Sequence, residues 1–218
     1  MRFIFSKQVY DLGVRGAYFN IRGMCNLAST DPRVQAFVES QFLLVPDDLE
    51  GSATLQGFAE LHATVSTKPD KLVAAPASLL MQFRRKKDIP RLNGIVDVYN
   101  AVSLASGLAI GAHDLARVDG NIELRLTQGS EAFWPLGASS FSRVAAGEYA
   151  YVDASNAILC RLEVRQVEKT KIVLDSRDVF FIVQGHRRID SAAIKRTAEV
   201  LASACLNLFG GTIEPLYP

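Results

Sequence analysis

The segment Asn93-Gly-Ile-Val-Asp-Val-Tyr-Asn-Ala-Val-Ser-Leu104 constrains this chain more than any other. On a helix, Ile95, Val98, Tyr99 and Val102 fall at i, i+3, i+4 and i+7, the apolar stripe of a packed face. At about 100° per residue, Asn93, Asp97 and Asn100 stand within roughly 60° of one another on a different stripe. Short polar side chains with poor helix propensity suit a solvated face badly; Lys, Glu or Gln would serve better. The helix is therefore expected to pack on one side and to face a site or neighbouring loops on the other. As ligand groups, the three would hydrogen-bond an amino group or ribose hydroxyls. As structural groups, they would cap loops and satisfy buried backbone. Both readings stand at this point.

The pattern around that helix sets the fold class. Strands are expected near 2–6 and 14–21, the second ended by Gly23. Asp31-Pro32 opens a helix to about 44. Pro46-Asp-Asp48 is expected to cap another through about 61, weakened by Gly51 and Gly57. Ser66-Thr-Lys-Pro-Asp70 reads as a linker, dividing an N-terminal α/β elaboration (1–70), packed on the same domain, from a main part (71–218). A helix over 76–87 stops before Pro90, and the helix from Asn93 breaks at Gly107. Strands follow at 122–126, 148–152, 157–162, 171–174 and 179–183. A last helix runs from Ser191 to Gly210-Gly211, with Ile194, Ala198, Leu201, Cys205 and Leu208 on one stripe. Helices toward the ends and strands clustered between them predict α+β, with mixed or antiparallel sheets flanked by helices.

Composition narrows the function classes. The chain has 218 residues, 49% of them hydrophobic and 22% charged, which fits one ordinary globular domain. A net charge of +1 supplies no global field toward nucleic acid, so any such contact is a local patch. Cys25, Cys160 and Cys205 are widely spaced among apolar neighbours and read as reduced core thiols, not a metal site. There is no signal peptide and no apolar run of about 18 residues, so a cytoplasmic location away from membranes is expected. No cofactor is expected: the chain has no phosphate-binding Gly-Lys-Ser/Thr loop, no dinucleotide glycine fingerprint and no His-Glu-x-x-His. With only His62, His113 and His186, a serine or cysteine triad is not expected either.

An ordered series carries a resemblance: Val96-Asp97-Val98-Tyr99-Asn100-Ala-Val-Ser-Leu, Gly107, Asp114-Leu, Gly120, Ile122, Arg125, Gly129-x-Glu131 and Asp153. From about 76 to 211 the chain resembles the B3/B4 tRNA-binding domain, the editing module of the β subunit of bacterial phenylalanyl-tRNA synthetase. It is most similar to the free-standing relatives of that module. The resemblance implies an α+β fold with a cleft for the aminoacyl 3′ end of a tRNA. In the synthetase, that cleft hydrolyses tyrosine wrongly attached to the tRNA. The synthetase's cleft histidine falls on Gly111 here, and Leu108-Ala109 replace its Gln-Pro pair. His113 falls two residues further along, next to the shared Asp114.

Several polar residues match this resemblance. Arg125 is central to a strand with apolar flanks and is expected to pair with Glu131 or Asp153. Arg161, Glu163 and Arg165 alternate with Leu162 and Val164, so all three are expected on one strand face. They replace glycines of the synthetase cleft and would narrow it or offer a cation to a carboxylate or phosphate. Thr170 and Ser176 stand where the relatives keep hydroxyls. Arg84, Arg85, Lys86, Lys87 and Arg91 form either a strip for tRNA phosphates or a solvated helix end. His186-Arg-Arg188 would extend such a patch. Phe133 and Trp134 would stack on a terminal base or pack in the core.

The resemblance implies a trans-acting aminoacyl-tRNA deacylase. In it, Asn100, Asp97 and His113 would orient the amino group and a water. Arg125 and Arg165 would hold the ribose-phosphate end, with Glu131 and Asp153 fixing those arginines, and Asn93 would be a further substrate-binding residue. A second class is a non-catalytic module that binds tRNA, a free amino acid or another small metabolite. A third is an interaction subunit using Phe37-Val38 and Phe42-Leu43-Leu44. Oligomeric state, the tRNA and its amino acid stay open.

Overall fold

Each face of the central strands is chosen by alternation, and this builds the molecule in layers. A computed structural model describes residues 1–66 and 68–214, Asp70 by its backbone alone. In chain order the elements are β1 (Phe3–Phe5), α1 (Lys7–Leu12), β2 (Val14–Arg22), α2 (Pro32–Phe42), α3 (Ala53–Val65), α4 (Ala75–Lys86) and α5 (Gly94–Ser106). Then come β3 (Ala109–Asp114), β4 (Ile122–Leu126), β5 (Tyr149–Asp153), β6 (Ile158–Arg161), β7 (Arg165–Gln166), β8 (Val179–His186), α6 (Ser191–Phe209) and β9 (Thr212–Ile213). The result is an α+β fold with two sheets.

One sheet has the order β3-β8-β2-β9 and is antiparallel throughout; the other has the order β1-β4-β5-β6-β7, with β1 parallel to β4. Along β2, Phe19 and Ile21 face a core shared with α2, α5 and α6, while Tyr18 faces the second sheet. Along β8, Phe181 and Val183 face the helices, and Phe180 and Ile182 face the second sheet. Burial on both faces explains why β8 is apolar almost throughout. The 1–70 segment contributes to both sheets: β2 lies between β8 and β9, and β1 pairs with β4.

The structure departs from the sequence expectations in four places. The third helix begins at Ala53 with Ser52 as its cap, and Pro46-Asp-Asp48 leads only into a 3-10 turn. Residues 171–174 form no strand; their backbone instead serves α5, since Asn93 Nδ2 donates to the Ile172 carbonyl. β3 was not expected, because its Ala-Ile-Gly-Ala-His-Asp lacks the β-branched and aromatic signal of a strand. Arg161, Glu163 and Arg165 do not share a face. Leu162 and Glu163 take left-handed backbone, φ 51° and 42°, which ends β6 and swings Glu163 inward. Of the expected linker, Thr67 lies outside the described residues, and Pro69–Lys71 is a 3-10 turn.

Candidate functional site

A cavity of about 440 Å³ opens where the two sheets part beneath α4 and α5. That volume is within the usual range for small-molecule sites. α4 contributes Ala75, Ser78, Leu79 and Gln82; α5 contributes Val96, Tyr99 and Asn100. Ala109 and Gly111 of β3, Ile182 and Gln184 of β8, Tyr151 of β5 and Cys160 of β6 make the inner wall. The turn from Glu163 to Gln166 closes one side. The small residues of β3 now have a reason: they leave room under two helices.

The inner wall carries a buried polar network centred on Glu163, whose side chain is 5% exposed. His62 Nε2 lies 2.7 Å from Glu163 Oε1 and 3.0 Å from the Leu162 carbonyl. The Tyr149 hydroxyl lies 2.9 Å from both carboxylate oxygens, and Gln184 Nε2 donates to Oε2 at 2.5 Å. Tyr151 Oη donates to Gln184 Oε1 at 2.6 Å. Burial opposes charge on His62, but the Glu163 hydrogen bond and charge override it and leave its pKa raised. Burial and then the Glu163 charge drive the Tyr149 hydroxyl well above its ordinary value. The same causes push the Cys160 thiol up to about 12, so it is no thiolate nucleophile at neutral pH. The left-handed turn is pinned by its own backbone, with Ala75 N donating to the Glu163 carbonyl at 3.0 Å. Two successive non-glycine residues in that conformation are costly, about 1–3 kcal/mol each, and persist only where surroundings over-determine them.

Gly111 is matched to Gln166. A Cβ on Gly111 would stand 2.6 Å from Gln166 Nε2, so the amide fills the space a larger residue would need. The position where the resemblance expects the synthetase's histidine is therefore a glycine covered by a glutamine.

The residues expected from sequence divide sharply. Asn100 and Arg165 line the cavity, Arg165 at its exposed mouth with Nη1 3.4 Å from the Leu136 carbonyl. Asn93 caps α5: its Oδ1 accepts from Val96 N and from Asn26 Nδ2. Asp97 accepts from Leu92 N at 2.8 Å, and burial raises its pKa. Both are structural partners of loops, away from the cavity lining. His113 is fully buried, with Nδ1 2.8 Å from Thr170 Oγ1, and burial lowers its pKa to about 4. It too is absent from the cavity lining. Arg125 pairs with Glu131 at 2.7 Å and with Asn156, while Glu131 accepts from Gln128 N and Gly129 N. Asp153 accepts from Ser155 N and Ala157 N and closes a tight turn. Ser176 donates to Asp114 Oδ2 at 2.7 Å.

The basic strip is only partly free. Arg84 Nη2 donates to the Pro46 and Asp47 carbonyls, and Arg91 Nε lies 3.1 Å from Asp88 Oδ1. Arg85, Lys86 and Lys87 are exposed. Ser78 and Gln82 face the cavity, and Lys86, four residues on, falls on the same face of α4 outside the lining. His186, Arg187 and Arg188 are tied to Thr54, Leu12 and Glu60. Phe133 is buried, whereas Trp134 is 41% exposed beside Phe141. Cys25 is exposed, against the expectation of a core thiol; Cys160 and Cys205 are buried. Among the described residues there is no cluster of three or more His, Cys, Asp and Glu fit to hold a metal, and no helix long and apolar enough to cross a membrane.

Sequence reasoning missed Tyr151, Gln166 and Gln184 of the cavity wall, and the pairing of Glu163 with His62 behind it. The available signals were a glutamine closing an otherwise apolar strand and a glutamate between two arginines.

An α+β domain with a polar-walled cavity between two sheets is what the geometry defines. Residues 59–205 match the B3/4 domain, and the chain belongs to that family. Its fold is similar to the crystal structure of an N-terminal fragment of the phenylalanyl-tRNA synthetase β subunit from Pyrococcus horikoshii. The TM-score is 0.59 at 13% identity, over 97% of this chain and 50% of the fragment. The chain thus spans half the length of that fragment. No curated protein matches it by sequence.

Proposed function

We propose that this chain binds the aminoacyl 3′ end of a tRNA and hydrolyses its ester, as a trans-acting aminoacyl-tRNA deacylase. The observation that carries the reading is a cavity with a fixed polar inner wall and Arg165 at its mouth in a B3/4 chain. Its volume, about 440 Å³, suits an amino acid with part of its ribose. Arg165 at the mouth, and Lys86 on the exposed end of α4, offer positive charge to a phosphate outside. Asn100 and Gln166 present neutral amides inside, suited to hold the α-amino group and a water.

The chemistry asked of these residues is modest. The ester is already activated, so positioning a water and excluding the wrong amino acid suffice without a protein nucleophile. Asn100 orients the reactants, while Asp97 and His113 support the frame around it. Such an activity belongs in the cytoplasm, where charged tRNA is found.

The test is deacylation of a panel of mischarged tRNAs, tyrosine on phenylalanine tRNA included, with protein in excess. Release of one or a few amino acids, slowed about 10-fold or more by Asn100→Ala, is the expected result. A folded protein that releases none sinks the reading. One observation favours a second reading, a non-catalytic module for a tRNA end or a free amino acid. The family position of the synthetase's histidine holds Gly111 under Gln166, so an amide replaces a titratable group. Binding of charged tRNA with no loss of its amino acid would select it.

A further inference from the structure

Two aromatic rings, Trp134 and Phe141, stand in water beside the cavity mouth with no task in the core. We infer that they form a stacking shelf for an unpaired base of the tRNA 3′ tail, next to the cavity that takes the aminoacyl end. This rests on the tRNA reading proposed above, but not on hydrolysis.

The two rings line an apolar groove of about 390 Å³, together with Ala132, Ala157, Ile158 and Val167. Trp134 is 41% exposed and Phe141 64% exposed. Their centroids lie 5.1 Å apart with the ring planes tilted by 56°. Trp134 Nε1 donates to the Ala138 carbonyl at 2.8 Å, which fixes the indole and occupies its one polar group within the chain. What the indole leaves to water is π-surface held in one orientation. Such a surface suits a flat partner, and every base has a π-face.

Position and charge select the occupant. Leu136 N donates to the Gln166 carbonyl at 2.8 Å, and Glu168 N donates to the Trp134 carbonyl at 3.2 Å. On each side of this ribbon the cavity lining and the groove lining are two residues apart: Leu136 and Trp134 on one, Gln166 and Glu168 on the other. Two residues of extended chain span about 7 Å. A nucleic-acid strand whose last sugar sits at the mouth therefore has its neighbouring bases within reach of the groove. The groove's own charges cancel, since Lys169 pairs with Asp119 and Asp153, and Glu168 pairs with Lys171. Arg165 at the mouth, and Arg143 two residues from Phe141, are exposed and form no ion pair among the described residues. The surplus around a neutral aromatic groove is positive. That combination fits flat bases on an anionic backbone, whereas an apolar protein segment gains nothing from the arginines.

Trp134 is the only tryptophan of the chain, so tryptophan fluorescence reports on the shelf alone. Unfractionated uncharged tRNA, intact or trimmed of its unpaired 3′ nucleotides, is titrated into the native chain and into Phe141→Ala. Intact tRNA is expected to quench the emission, and trimmed tRNA to leave it unchanged. The Phe141→Ala variant is expected to raise the apparent Kd for intact tRNA about fivefold or more. No quenching by intact tRNA, equal quenching by trimmed tRNA, or an unchanged Kd in a folded Phe141→Ala would overturn the inference. Emission that follows protein concentration and not tRNA would mark a contact between copies of the chain, and overturns it as well. If Phe141→Ala fails to fold, the contrast between the two tRNAs on the native chain decides. Quenching by the tail with no ester cleaved keeps the shelf and removes the deacylase reading. Cleavage of esters without quenching does the reverse.

Discussion

Single residues in this chain earn their places by different means, and pH separates them. His113 is buried with burial alone lowering its pKa, from an ordinary 6.5 to about 4. The unfolded chain therefore takes up its proton first as pH falls. Its contribution is present in full above about 6.5 and is lost as pH drops toward 4, up to about 3 kcal/mol. Urea denaturation at pH 7 and pH 4.5 tests this. The His113→Gln variant should lose less stability across that interval than the native chain, and an equal loss would refute the burial argument. His62 has the opposite sign: its pKa is raised, so its stabilisation is full below its unfolded value and fades as pH rises through the folded one. Residue types alone did not separate these two histidines. What separates them is a neighbour about a hundred positions away, Glu163 for one and its absence for the other. Asn93 and Asp97 were legible as polar groups with a task, but their partners at Asn26, Leu92 and Ile172 come from chain folding, not from helix periodicity.

At the scale of elements, α5 repays the attention its pattern attracts. Asn93 accepts from Val96 N within the helix and ties the helix start to Asn26 and Ile172. Replacing it by alanine removes the cap and leaves buried donors unpaired. Loss of about 1–3 kcal/mol in urea denaturation is expected; a change under a few tenths would show the cap to be dispensable. Helices α2, α4, α5 and α6 and strands β4, β5 and β8 were legible because apolar spacing dominates them. Strand β3 was not, since its small residues were selected by the cavity above it. The Leu162-Glu163 turn was not either, since no glycine or asparagine marks the left-handed backbone that packing enforces there.

For the whole molecule, the question is whether residues 1–70 are an attachment or a part. Their β2 runs between β8 and β9, and Tyr18, Phe19 and Ile21 are fully buried in two separate cores. We take them to be integral. A chain cut to residues 71–218 would bare one edge of β8 and both apolar cores. It should be insoluble, or unfolded by circular dichroism. A cooperative thermal transition in the cut chain would mark residues 1–70 as an attachment after all.

The pairing of β2 with β8 also has a meaning in time. β2 ends at Arg22 and β8 begins at Val179. A ribosome making 5–20 residues per second therefore holds β2 without its partner for on the order of ten to thirty seconds. For most of that interval a nine-residue strand, with Val14, Tyr18, Phe19 and Ile21 to bury, waits without its partner. The same register that buries it so completely in the finished protein leaves it, during synthesis, open to the wrong partner.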